Sequence, residues 1–405
     1  MKEIALSIMY VFRQFAKFLS KTHATSLGGN VDLYYALAIP YMFEAKNKKN
    51  RMIELCIVFI TLFGYSALQF LVLEDLNVLK LIVNTVKIFV CFAVFRYTMD
   101  KIHKVNLART ILTISVMFFG LTVMAVVFSE STWFWRFNDG VNLFSLTRLQ
   151  LFYLEPSELG YHLLLVMIPL TAVFLLSKRM KIKLISGLFL VTNAVTLYLA
   201  KPLGAIAIGA VAIVAVILYE FLLHPTKSKL RLYVILVVVV LAVLALLYVT
   251  ENPLILRIIY TLQGKDGSNN YRVGVSLEVL KRSLIDYNLI GCGFGNLNTE
   301  AFISNYRPIG LSVVVVNSFI YFIIEAGVLG VVVVSCLIGG MIYKTLKDKS
   351  IVKMGLSVFV IIYSLFGGHF TSAVTWVVYG IIFSNWKDAD MIEGFESFLR
   401  NYIRR

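Results

Sequence analysis

The chain has 405 residues, 59% of them hydrophobic and only 15% Asp, Glu, Lys or Arg, far from the balance of a soluble chain. With a mean hydropathy of +0.82, that composition excludes a soluble enzyme. Lys and Arg number 38 against 23 Asp and Glu, a formal +15; in so apolar a chain this excess belongs to loops flanking membrane spans, and no nucleic-acid partner is expected.

Residues 1–43 open the chain with an amphipathic helix and a short apolar segment. Ile4, Ile8, Phe12, Phe15 and Leu19 share one helical face, and Arg13, Gln14 and Lys17 fall off it. This pattern suits an interfacial helix better than a span, leaving zero to two further spans open here. A cleaved leader is not expected, because charges interrupt the apolar stretch and no small-residue cleavage site follows.

Apolar runs of roughly 17 to 25 residues mark membrane spans. Eight occur, at about 53–73, 81–95, 107–128, 159–176, 184–200, 203–223, 232–249 and 312–343. Shorter runs at about 354–367 and 373–384 form a hairpin around Gly367, Gly368 and His369. The fold class is therefore an all-α polytopic membrane protein of about 10–12 transmembrane helices. Residues 44–249 hold most spans and a loop at 129–158, residues 250–311 form a large loop, residues 312–384 hold the C-terminal spans, and residues 385–405 form a tail. Cys56, Cys91 and Cys336 lie in apolar runs and Cys292 in a polar loop, so no disulfide framework is visible.

Alternate segments (44–52, 96–105, 177–183, 224–231, 344–353 and 385–405) carry 22 of the 38 Lys and Arg. By the positive-inside rule these face the cytoplasm, and the loops at 129–158 and 250–311 face outward. The larger loop does not read as disordered. After the turn-rich run Gly264 to Ser268, the residues Val273, Leu277, Leu280 and Leu284 recur at helical spacing, with Asn269 or Asn270 as N-cap and Arg272, Lys281 and Arg282 among the polar positions. Gly291, Gly293 and Gly295 follow at alternate positions. Their backbone amides could hold an anion, or the glycines could simply form a turn, and their spacing matches no nucleotide-binding fingerprint.

The order of these pieces resembles the Wzy/O-antigen ligase superfamily. The resemblance runs from Tyr271-Arg272-Val273 through Asn288-Leu-Ile-Gly291-x-Gly293-x-Gly295 to Val316-Asn317-Ser318-Phe319 and Glu325-Ala-Gly327-Val-Leu-Gly330. Upstream, Arg148 with Leu154-Glu155-Pro156-Ser157, and Lys201-Pro202-Leu203-Gly204 in a short outward turn, are similar to the family's remaining motifs. Ligases of the superfamily have His where this chain has Val316, so the likeness leans toward repeat-unit polymerases.

The resemblance implies a metal-independent membrane glycosyltransferase without cofactor in a bacterial cytoplasmic membrane. Its substrate would be an undecaprenyl-pyrophosphate-linked oligosaccharide, with membrane lipid around it and a chain-length regulator protein as a possible partner. Departure of a lipid pyrophosphate requires charge stabilisation, and arginine offers a planar fork of donors for phosphate oxygens. Arg148, Arg272 and Glu155 are then the catalytic candidates, Glu155 as base. Lys201, Gly291, Gly293, Gly295, Asn317 and Arg282 are the substrate-binding candidates. Structural roles stand beside each of these: an ion pair of Arg148 with Glu155 or Glu158, a snorkelling Lys201, headgroup anchoring by Arg282. A flippase for the same lipid-linked sugar and an O-antigen ligase are the competing functions.

Overall fold

The computed structural model describes residues 2–11, 33–43, 48–137, 147–227, 274–307 and 315–403, with a few single positions between 229 and 263. The protein is an all-α polytopic membrane protein: among the described residues, seven helices are long and apolar enough to cross a membrane. In chain order the helices are α1 (Lys2–Val11), α2 (Ala38–Phe43), α3 (Lys48–Val72), α4 (Val78–Lys101), α5 (Leu107–Val127), α6 (Pro156–Leu176), α7 (Met180–Ala200) and α8 (Leu203–Leu223). Then come α9 (Ser276–Asp286), α10 (Glu300–Tyr306), α11 (Ser318–Asp348), α12 (Ile351–Phe366), α13 (Ala373–Phe383) and α14 (Asp388–Ile403). The expected span at 232–249 lies largely outside the described residues.

Helix starts follow local chemistry. Asn77, Asn106 and Ser350 each accept a backbone N–H three residues on, capping α4, α5 and α12. Helix α6 is apolar on every side, the pattern of a helix buried all round. It is the central element, packed against α7, α8 and α12, with nearly every residue buried.

The charged loops gather at two ends. At the basic end Arg96 pairs with Glu54 at 2.5 Å, Arg51 with Asp100 at 3.7 Å and Arg179 with Glu396 at 3.0 Å. These pairs explain why α4 runs past the apolar stretch at 81–95, since a partnered arginine need not end a helix. Lys353 is fully buried there, its ammonium 2.5 Å from Asp348 and 2.6 Å from the Ser384 carbonyl. Lys353→Met should cost about 2 to 4 kcal/mol, because the Ser384 carbonyl loses its donor and Asp348 keeps only Lys344 at 3.4 Å. Thermal unfolding in detergent measures this, and Asp348→Leu added to Lys353→Met should recover much of the loss.

The N-terminal helix packs against the bundle on its polar side. It lies along α5, with Ser7 Oγ donating to the Thr110 carbonyl at 3.2 Å and the Tyr10 hydroxyl to the His162 carbonyl at 2.8 Å. Ser7, Tyr10 and Val11 are buried, while Ile4 and Ile8 are exposed at 42% and 47%. The apolar stripe thus faces away from the protein, as it can when the surroundings are lipid. Phe12, Phe15 and Leu19 lie outside the described residues.

Candidate functional site

At the end opposite the basic pairs, α7 and α8 are joined by Lys201 and Pro202. Lys201 takes the left-handed conformation (φ 48°, ψ 45°), unusual for a side chain with a Cβ. That bend presents two successive carbonyls to Arg148. Its Nε donates to Ala200 O and its Nη2 to Lys201 O, both at 3.1 Å. The lysine answers, Nζ donating to Thr147 O at 3.1 Å. Burial first, and then repulsion from Arg148, hold the Lys201 ammonium below the ordinary lysine pKa.

Arg148 lies in a short antiparallel ribbon, β1 (Trp135–Arg136) with β2 (Arg148–Leu149), in which Arg136 stands directly opposite Arg148. The ribbon is fixed to the bundle: Trp135 Nε1 donates to Ala125 O at the end of α5 at 2.7 Å, and Leu149 is fully buried. Side chains directly opposite in such a pair project from the same face, and like charges there are destabilising. Arg136, Arg148 and Lys201 therefore form a cationic cluster on rigid supports, a setting suited to an anion such as phosphate. Arg136 was not a candidate from sequence. A two-residue strand has no periodicity to read, and its register with Arg148 exists only in three dimensions.

Glu155 follows on the same segment, at the N-cap position of α6, exposed and accepting the Ser157 hydroxyl at 3.0 Å. It serves there as a helix-start acid and remains accessible. His162, nearly two turns inside α6, is buried, its Nδ1 2.7 Å from Glu158 O, with the rings of Tyr10, Tyr153 and Tyr161 around it.

The glycine loop is placed differently from an open anion cradle. Residues Gly291 to Leu297 are all buried, wedged against α11 where that helix breaks at Gly327 (φ 54°, ψ −133°). Cys292 N donates to Ile324 O at 3.0 Å, Gly293 N to Glu325 O at 3.2 Å and Val328 N to Leu289 O at 2.8 Å. Helix α3 closes the junction. Gln69 Nε2 donates to Ile290 O and Glu325 O at 3.0 and 2.8 Å, and the Tyr65 hydroxyl reaches Ile290 O and Ala326 O, both at 2.9 Å. The amides of Cys292 and Gly293 are thus spent on the carbonyls that a broken helix exposes, and those of Gly295 and Leu297 face the buried Glu325 carboxylate. Gly291, Gly293 and Gly295 thus seat the loop against α3, α4 and the break in α11.

The remaining candidates scatter. Asn317 is buried at the start of α11, its Nδ2 donating to Leu365 O at 2.6 Å and its Oδ1 accepting from Ser276 at 3.2 Å, so it ties α9 and the α12 end to α11. Arg282 is half-exposed on α9 and pairs with Glu278 at 2.6 Å, an exposed pair of little energetic weight. Helix α9 buries Ser276, Val279 and Ser283, not the stripe centred on Leu277 and Leu284, and Leu277 is 50% exposed. Arg272, Val273, Asn269 and Asn270 lie outside the described residues. Among the described residues no group of three His, Cys, Asp or Glu is placed to share a metal ion. No family model matches the chain, and no curated protein matches it.

Proposed function

We propose that the chain is a polysaccharide polymerase of a bacterial cytoplasmic membrane, transferring a growing glycan from undecaprenyl pyrophosphate to a lipid-linked repeat unit at the outer face. The observation that carries this reading is the cluster of Arg136, Arg148 and Lys201 at the loop end, which adds to the ordered motifs of the sequence. In the reaction an acceptor hydroxyl oxygen bonds to the anomeric carbon. The bond from that carbon to the pyrophosphate oxygen breaks, its electron pair leaving with the pyrophosphate. Charge grows on the leaving oxygens, where fixed cations act most strongly in the transition state. Glu155, exposed beside the ribbon segment, is the candidate to take the hydroxyl proton. A chain-length regulator is a candidate protein partner.

A flippase is the second reading, and the interruption of α11 at Gly327 favours it, since broken helices line many transport paths. Gene deletion separates the two. For a polymerase, single lipid-linked repeat units still reach the outer leaflet and the ladder of longer chains vanishes. Accumulation of repeat units on the cytoplasmic leaflet would establish the flippase instead.

A further inference from the structure

A polar stripe runs down α4. Lys80, Asn84, Lys87 and Cys91 are spaced by four, three and four residues, which puts them on one helical face. The top of the stripe meets the glycine loop: Lys80 Nζ donates to Asn298 O at 3.4 Å and lies in electrostatic reach of Glu325, and Asn84 packs directly on Gly295. The bottom meets the loop between α12 and α13, where the Cys91 thiol and the Tyr35 hydroxyl both donate to Thr371 O, at 3.4 and 2.6 Å. Rings of Phe294, Phe322 and Phe370 stack in sequence and bridge the same two loops. Lys87 faces the interval between them.

That lysine lies nine residues into α4, roughly 13 Å along the helix axis. It is partly buried, and among the described residues it has no hydrogen-bond or ion-pair partner. Cys91, one turn deeper on the same face, is fully buried. An ammonium at this depth without a carboxylate is costly, and intramembrane charges of that kind mark ligand paths.

We propose that Lys87, with Asn84 above it and Lys80 at the entrance, is an intramembrane seat for a phosphate group. The ammonium supplies the charge, the carboxamide of Asn84 a neutral donor, and Lys80 a cation nearer the loop end that draws an anion inward. The seat is on α4, whereas Arg136, Arg148 and Lys201 sit on the ribbon and the α7–α8 turn. Resting on the polymerase reading, it anchors the acceptor, whose phosphate is retained, while the first cluster attends to the phosphate that leaves.

The test uses full-length protein in neutral phosphatidylcholine nanodiscs, in an Arg148→Ala background so that the first cluster contributes little. Native mass spectrometry and unfolding temperature are read with undecaprenyl phosphate and, separately, with inorganic phosphate. A saturable undecaprenyl phosphate adduct is expected, weakened at least tenfold by Lys87→Leu and largely kept by Lys87→Arg. Without ligand, Lys87→Leu should unfold at a higher temperature than its parent, because the buried charge is gone. Lys347→Gln, which removes one charge at the basic end, should bind as the parent does. Inorganic phosphate that binds and competes would assign the seat to free phosphate; no competition assigns it to the lipid-borne group. Unchanged binding in Lys87→Leu, whether its stability rises or falls, overturns the proposal. No chain extension by the folded parent protein supplied with lipid-linked repeat unit, with Lys87-dependent binding intact, would remove the polymerase reading and leave the seat standing.

Discussion

Arg148→Ala is expected to lower chain extension on the order of 10²-fold or more, the scale of removing one preorganised donor from an active site. The measurement is the chain-length distribution made by purified protein from a lipid-linked repeat unit, at matched amounts of folded protein. The same substitution also removes the two hydrogen bonds from Arg148 to the α7–α8 turn, so some loss of stability accompanies it. Two further measurements separate the roles. Arg148→Lys keeps a charge but cannot span both carbonyls, so it should restore only part of the activity. The residual activity of Arg148→Gln should hold to higher pH than that of the parent. Arg148 repels the Lys201 ammonium, so removing it raises the lysine pKa and moves the loss of that charge upward. If the Lys201 charge took no part in the reaction, the pH profile would stay in place. Near-normal polymer from Arg148→Ala and from Arg272→Ala would show that the pyrophosphate is held elsewhere.

Among the described glycines, Gly327→Ala should be the most damaging added methyl group. An added Cβ would fall 2.0 Å from Leu289 O and 2.5 Å from the Ile290 carbonyl carbon, at φ +54°. Neither neighbour can swing away, since both are backbone held by Tyr65, Gln69 and Val328. Backbone strain alone costs about 1 to 3 kcal/mol, and with the clash a loss on the order of 4 kcal/mol or more is expected. Gly339→Ala is the matched control. It sits in the same helix with open space around its would-be Cβ and should stabilise by about 0.5 to 1 kcal/mol. Unfolding temperatures of the two variants in one detergent give the comparison, and a Gly327→Ala protein as stable as the parent would mean that the loop and the break do not touch.

The spans were legible because hydropathy alone defines them. Expected runs at 107–128 and 203–223 correspond to α5 and α8 almost residue for residue. Faces were less legible. On α1 and on α9 the sequence shows an apolar stripe but not which side packs on the bundle: Ser7, Ser276 and Ser283 are buried and Ile4, Ile8 and Leu277 are exposed. Amphipathicity points inward only when the outside is water; beside lipid, small polar residues can take the packed side and make the hydrogen bonds. In the site, Arg148 and Lys201 each follow from motif order, whereas their contact through the α7–α8 turn and the place of Arg136 do not. The glycine loop was visible as a motif, but its use depended on the break at Gly327, more than 30 residues downstream.

The junction of α3 with that loop bears on how the protein is made. Gln69 and Ile290 are 221 residues apart, which at ribosomal speed is roughly 10 to 45 s of synthesis. Throughout that interval α3 must reside in the bilayer with the polar tips of Tyr65 and Gln69 lacking the carbonyls they finally meet. Both lie within two turns of the helix end, shallow enough for interfacial water to serve as temporary solvent. The glycine loop, arriving late, displaces that water and closes the bundle, so early and late portions of the chain are joined only once nearly three quarters of it has left the ribosome.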